Sequence, residues 1–186
     1  DHMQLQQTPK APCQWCKPLG EPEPNKFEPK SPPFWSVDLI LNLNIKAHKE
    51  WFETQEAEVQ RQHGVNAKAS TNALPFKTQD DGTVIWTFKL KRFTRKSDGG
   101  FTSGPLVVDS KNNAWDAEKL IGNGSEIRIG YDLYPWKGPS GVGLSYQVRQ
   151  AQVIDYVAYE RSSSSVFDEV QGGYVSPSDV VFDAEG

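Results

Sequence analysis

Hydrophobic and polar residues alternate over residues 83–96, with Val84, Trp86, Phe88 and Leu90 on one face and Thr87, Lys89, Lys91, Phe93 and Arg95 on the other. Successive side chains of a strand point to opposite faces, so the pattern predicts a strand with one apolar row and one row of cations ending in an aromatic. The same period recurs over 34–42, where Trp35, Val37, Leu39 and Leu41 alternate with Phe34, Ser36, Asp38 and Ile40. It returns over 126–136, where Ile127, Ile129, Tyr131 and Leu133 oppose Arg128, Gly130, Asp132, Tyr134 and Trp136. A hairpin loop at 138–141 leads into a long strand from Val142 to about Tyr159, with Val142, Leu144, Tyr146 and Val148 inward. Its alternation slips by one near Ala151, the signature of a bulge. A short apolar strand is expected over 105–109.

Helical spacing is confined to one stretch. Asn44 is placed to cap a helix over 45–63 that stops at Gly64, with a weak stripe of Ile45, His48, Phe52, Gln55 and Val59. Glu50, Glu53, Glu56 and Glu58 are expected in water. Residues 65–79 read as a loop, Asp80-Asp81-Gly82 as a tight turn, and 112–121 as a helical turn carrying Trp115. Five strands with one helix inserted after the first predict a mainly β protein, with a five-stranded Greek-key barrel of the OB-fold kind as the expected architecture.

Composition refines the limits of that domain. A chain of 186 residues with 37% hydrophobic residues can bury one ordinary core. Residues 4–33 hold eight prolines and little periodicity, so 1–33 is expected to be an extended arm, with Asp1-His2-Met3 a cloning remnant. The domain is then 34–160, and 161–186 a flexible acidic tail. No run approaches the roughly 18 apolar residues of a membrane span, and no secretory leader is visible, so a soluble, intracellular protein without a membrane partner is expected.

The net charge of −4 is segregated. Residues 162–186 carry five acids and no Lys or Arg, and without them the charge becomes +1. Residues 83–96 carry five cations and no acid. A sequence-indifferent binder of single-stranded nucleic acid needs such cations for phosphates and aromatic planes for bases. Lys89, Lys91 and Arg95 are the phosphate candidates, with Arg149 a further one on the last strand, while Arg92 is out of phase and expected to pair with a carboxylate. Phe93, Tyr134 and Trp136 lie on polar faces and are the stacking candidates. Trp35 is a further one, although it shares a face with Val37 and Leu39. Trp86, Tyr131 and Tyr146 alternate with aliphatics and read as core.

Other chemistries find little support. Cys13-Gln-Trp-Cys16 has no second pair to complete a zinc tetrahedron and lies among Pro9, Pro12 and Pro18, so it reads as two reduced thiols and no metal is expected. HExxH, P-loop and GxSxG motifs are absent, and Asp80-Asp81-Gly82 suits a turn better than a metal cluster. No enzyme and no cofactor is expected. A carbohydrate-binding β-domain would share the exposed aromatics without needing the cations, and a protein-interaction domain could use the basic strand.

Five blocks carry a resemblance. Phe34-Trp-Ser-Val-Asp-Leu39, Gly82-Thr-Val-Ile-Trp-Thr-Phe-Lys89, Leu106-Val-Val-Asp-Ser-Lys111, Ile121-Gly-Asn-Gly-Ser125 and Ile127-Arg-Ile-Gly-Tyr-Asp-Leu-Tyr-Pro-Trp-Lys137 resemble, in order, blocks of the single-stranded-DNA-binding proteins of T7-like phages. The resemblance implies an OB-fold that coats single-stranded DNA without sequence preference during replication and recombination, assists annealing and forms a homodimer. It further implies an acidic tail that contacts the phage DNA polymerase and helicase-primase, in the cytoplasm of the infected bacterial host. At single positions, Lys89 and Arg128 stand where the family has basic residues, and Trp136-Lys137 matches an aromatic followed by a lysine. Thr87 replaces a family lysine, Lys91 stands at an aromatic position and Gly130 drops a basic one. The family tail is longer and more acidic and ends in an aromatic, unlike 182–186 here.

Overall fold

The computed structural model describes residues 4–159, 167 and 170–175. Eight strands and two helices follow in the order β1 (Gln6–Gln7), β2 (Ala11–Lys17), β3 (Phe34–Leu41), α1 (Lys46–Glu56), α2 (Glu58–His63), β4 (Phe76–Thr78), β5 (Val84–Lys91), β6 (Leu106–Val108), β7 (Glu126–Gly138) and β8 (Gly141–Asp155). The sheet order is β4-β5-β3-β2-β7-β8-β6, with β1 added on β7.

Period-two patterning translates directly into burial. Val84, Trp86, Phe88 and Leu90 of β5 are buried, as are Trp35, Val37, Leu39 and Leu41 of β3, which pairs with β5 along its whole length from Phe34↔Lys91 to Leu41↔Val84. Ile127, Ile129 and Tyr131 of β7 and Leu144, Tyr146 and Val148 of β8 line the opposing face. The expected slip is a bulge: Gly130 pairs with Gln150 but Tyr131 with Val148, leaving Arg149 as the extra residue, and Ala151 and Val153 resume the inward row.

Aromatic rings fill the space between the two halves. Trp51 of α1 meets Trp86 edge-on at 4.8 Å between centroids, Trp86 meets Tyr146 at 4.9 Å, and Phe76 stacks on Trp86 at 5.4 Å. Each such pair is worth about 0.5–1.5 kcal/mol beyond the area it buries. Three of the polar tips are satisfied internally: Trp51 Nε1 donates to the Tyr131 hydroxyl at 3.1 Å, which donates to Gln6 Oε1, and the Tyr146 hydroxyl donates to Gln55 Oε1 at 2.8 Å, whereas the buried Trp86 Nε1 has no partner. His48 ties α1 to two strands, accepting from Asn42 N–H at Nδ1 and donating from Nε2 to the Lys10 carbonyl at 2.8 Å.

Several expectations change. Eight strands in one sheet, with β4 and β6 at its ends, stand where five were expected. One reason is the N-terminal segment: the expected arm supplies β1 and β2, and β2 sits between β3 and β7, pairing Cys13↔Leu39 with one and Ala11↔Ile127 with the other. Proline is tolerated there because β2 changes partners midway, so Pro12 need not donate into two complete ladders. A second difference lies between β5 and β8, which are bridged by backbone bonds from residues 68–76, the expected loop. Val142 N–H donates to Lys68 O, Leu144 N–H to Ala73 O and Thr87 N–H to Pro75 O, each at 2.9 Å. Gly141, at φ +138°, is required at this crossing, since a Cβ would lie 2.5 Å from Lys68 O.

The helical region also differs in detail. Ile45, rather than Asn44, occupies the N-cap, and no side chain caps the helix, while the Asn44 N–H donates to Asn42 Oδ1 at 2.9 Å. The helix breaks at Ala57, and the turn brings Glu58 inside, where Arg61 and Gln62 meet its carboxylate. Residues 112–121 form turns rather than helix, with Trp115 Nε1 donating to Lys119 O at 2.8 Å. The acidic-tail expectation for 161–186 lies mostly outside the described residues.

Candidate nucleic-acid interface

The outward row of β5 borders a groove of about 1090 Å³. Register explains what meets there. Asp38 on β3 lies between Gln14 on β2 and Thr87 on β5, so these three polar residues form a continuous floor across neighbouring strands. Lys89, Lys91 and Phe93 extend it along the chain direction of β5, and Lys77 joins from β4. The far end of the β7–β8 hairpin adds Tyr134, Trp136, Ser145 and Gln147, and Asn72, Leu74 and Pro75 of the bridging segment complete the lining.

Individual side chains are held in place by identifiable contacts. The Lys89 ammonium lies 4.9 Å from the centroid of the Phe34 ring, a cation–π contact on an exposed side chain. Trp136 lies across the backbone of Gly143, its direct cross-strand partner, and a Cβ at that glycine would stand 2.2 Å from the indole. The hairpin thereby presents the ring as a platform. Phe93 and Tyr134 are 51% and 60% exposed, unusual for aromatics with no core to fill. Asp38 is half-buried, and burial pushes its carboxyl above the ordinary aspartate range, with the Thr87 hydroxyl and the Lys89 charge opposing that rise.

Five of the ten residues singled out from the sequence therefore converge: Lys89, Lys91, Phe93, Tyr134 and Trp136. The other five do not line this groove. Trp35 is buried, its Nε1 donates to Gly20 O at 2.9 Å and Gly104 passes directly over its ring, so it cannot serve as a stacking surface. Arg95 is spent closing its own turn, on Asp98 at 3.2 Å and on the Phe101 carbonyl. Arg149 is paired with Asp132 at 2.9 Å and with Gln147. Arg128 is exposed beside Gln152, but eight residues of strand, roughly 27 Å, separate it from Trp136. Lys137 alternates with Trp136 and so faces the other way. Arg92 pairs with Glu21 at 3.2 Å, as its phase suggests.

Sequence reasoning missed several polar groove residues. Lys77 fell in the expected loop, and Gln14 in the expected arm. Asp38 was placed on the correct face of its strand without a role, and Ser145 was unremarked. Only Asp38 had a signal available, as the one acid in the solvent-facing row of its strand.

A curved sheet with exposed aromatics and ammonium groups lining one open groove defines a class of protein built to hold an extended chain that offers both flat rings and negative charge. Comparison with known proteins agrees. Residues 35–156 match the family model "Single-stranded DNA-binding protein, Bacteriophage T7", and the chain belongs to that family, one of binding proteins rather than enzymes. It is 28% identical over 149 residues to the single-stranded DNA-binding protein of Escherichia phage T7, covering 75% of this chain and 63% of the relative. It is 29% identical over 154 residues to the corresponding protein of Enterobacteria phage T3, covering 75% of this chain and 64% of that one. The chain thus spans less than two thirds of the length of these relatives. The fold resembles the crystal structure of gp2.5, a single-stranded DNA-binding protein encoded by bacteriophage T7, with a TM-score of 0.64 and 19% identity over 93% of this chain and 98% of that one. It also resembles the single-stranded DNA-binding protein of bacteriophage Enc34, solved in complex with single-stranded DNA, with a TM-score of 0.60 and 13% identity over 80% of this chain and 85% of that one.

Proposed function

We propose that this protein binds single-stranded DNA in the groove between β5 and the β7–β8 hairpin, coating it without strong sequence preference during phage DNA replication and recombination and assisting annealing. The observation that carries the reading is the convergence of Lys77, Lys89 and Lys91 with Phe93, Tyr134 and Trp136 in one groove, although they come from β4, the end of β5 and the far end of β7. Phosphates engage the ammonium groups, and unpaired bases stack on the rings at about 1–3 kcal/mol per base. A duplex hides its base faces in its own stack, so it offers this groove only phosphates. The exposed cations also favour DNA over carbohydrate as the ligand.

The finer architecture is an OB-fold elaborated by β1, β2 and the bridging segment. Following the family, the acidic tail of 161–186 competes for the groove and contacts the phage polymerase and helicase-primase, the chain forms a homodimer, and it acts in the cytoplasm of the infected host. Among the described residues, no helix is long and apolar enough to cross a membrane. Titration with single- and double-stranded oligonucleotides tests the binding. Single strands should quench tryptophan fluorescence and bind more tightly, and equal affinity for both forms would refute the stacking groove. Removing 162–186 should raise affinity for the single strand, whereas lower affinity with the fold intact would refute the competing role of the tail. Sedimentation of the purified chain checks the dimer.

A further inference from the structure

One residue in the groove works against phosphate binding. Asp38 is an acid on the floor of a cationic channel, half-buried, with Gln14 on one side and Thr87 on the other. A carboxylate there repels the DNA backbone and is partly desolvated, so electrostatic attraction for phosphate gives no reason for it. Its position does suit a base. The rings of Tyr134 and Trp136 line the same groove, so a base stacked on either can turn an edge towards the β2–β3–β5 floor.

The donor and acceptor pattern of that floor is specific. An ionised carboxylate only accepts hydrogen bonds, and its two oxygens can receive two parallel N–H groups. Guanine offers the complement on one edge, with N2–H and N1–H side by side to give. Adenine and cytosine each give one N–H beside a ring nitrogen whose lone pair would face the carboxylate. Thymine gives N3–H flanked by two carbonyl oxygens. Resting on the reading of the groove as a single-strand site, we infer that Asp38 reads the Watson–Crick edge of a stacked base and gives this protein a preference for guanine over the other three.

The test compares short oligothymidylates that carry one central dG, dA, dC or deoxyinosine, by competition against the unsubstituted oligomer. Discrimination at the low end for a bidentate contact, about fivefold in favour of dG, is expected in an open groove. Deoxyinosine lacks the N2 amine and should lose most of that advantage with the native protein, a control that needs no variant. Asp38→Asn should bind unsubstituted oligothymidylate more tightly, because a negative charge leaves the groove, and should lose the preference for dG. Equal affinity of the native protein for all oligomers, or a preference that survives Asp38→Asn, overturns the inference while leaving the groove in place. Failure to bind any of them overturns the single-strand reading itself.

Discussion

The salt dependence of binding follows from counting which cations are free to meet phosphate. Lys77, Lys89 and Lys91 line the groove, whereas Arg92, Arg95 and Arg149 are held by Glu21, Asp98 and Asp132. Each phosphate neutralised on a single strand contributes about −0.7 to the slope of log affinity against log salt, so three contacts give about −2. A fourfold rise in salt should then weaken binding about 20-fold. Lys89→Ala should bring the slope to about −1.4, and Arg149→Ala should leave it near −2. Fluorescence titration with oligothymidylate at four or more salt concentrations measures all three proteins. A slope near zero for the native chain would refute the electrostatic account. Equal losses from Lys89→Ala and Arg149→Ala would refute the placement of the groove.

Gly143→Ala tests the indole platform without touching the ring: the new Cβ would overlap Trp136, displace it and weaken oligonucleotide binding by about 1 kcal/mol or more, and unchanged affinity with normal quenching would show that Trp136 does not stack. The core makes a pH-dependent prediction through Tyr131, whose phenol burial pushes up from 10.0 to about 12. The native state then holds its proton longer than the unfolded chain, so the contribution is intact below about pH 10 and is lost as pH rises through about 12. Tyr131→Phe should flatten the fall of stability over that window in urea unfolding. It should also cost about 1–3 kcal/mol at neutral pH by orphaning the Trp51 indole N–H. A fall as steep as that of the native protein would refute the assignment.

Alternation along the chain was sufficient to find β3, β5, β7 and β8, to sort Trp86, Tyr131 and Tyr146 into the core, and to place Lys89, Lys91, Phe93, Tyr134 and Trp136 on solvent faces. The reason is local: a strand has two faces, and a residue two positions along shares the face of its neighbour. The bulge near Ala151 was legible for the same reason, as a break in that period. Periodicity is silent where a strand is short, proline-rich or changes partner, so β1, β2 and β4 were read as arm and loop. Burial also escapes it when a neighbour arrives from far along the chain, as Gly20 and Gly104 do to cover Trp35.

The sequence by itself determined which side chains of the longer strands face solvent and with what charge, because a side chain's face and charge are properties of its own strand. Only the tertiary structure decided which of them meet. Strand register set Asp38 beside Thr87 and Gln14, the β7–β8 hairpin carried Trp136 to within one groove of Lys89, and local carboxylates removed Arg95 and Arg149 from the free cations. These are long-range pairings, set by packing around one aromatic core rather than by any period along the chain.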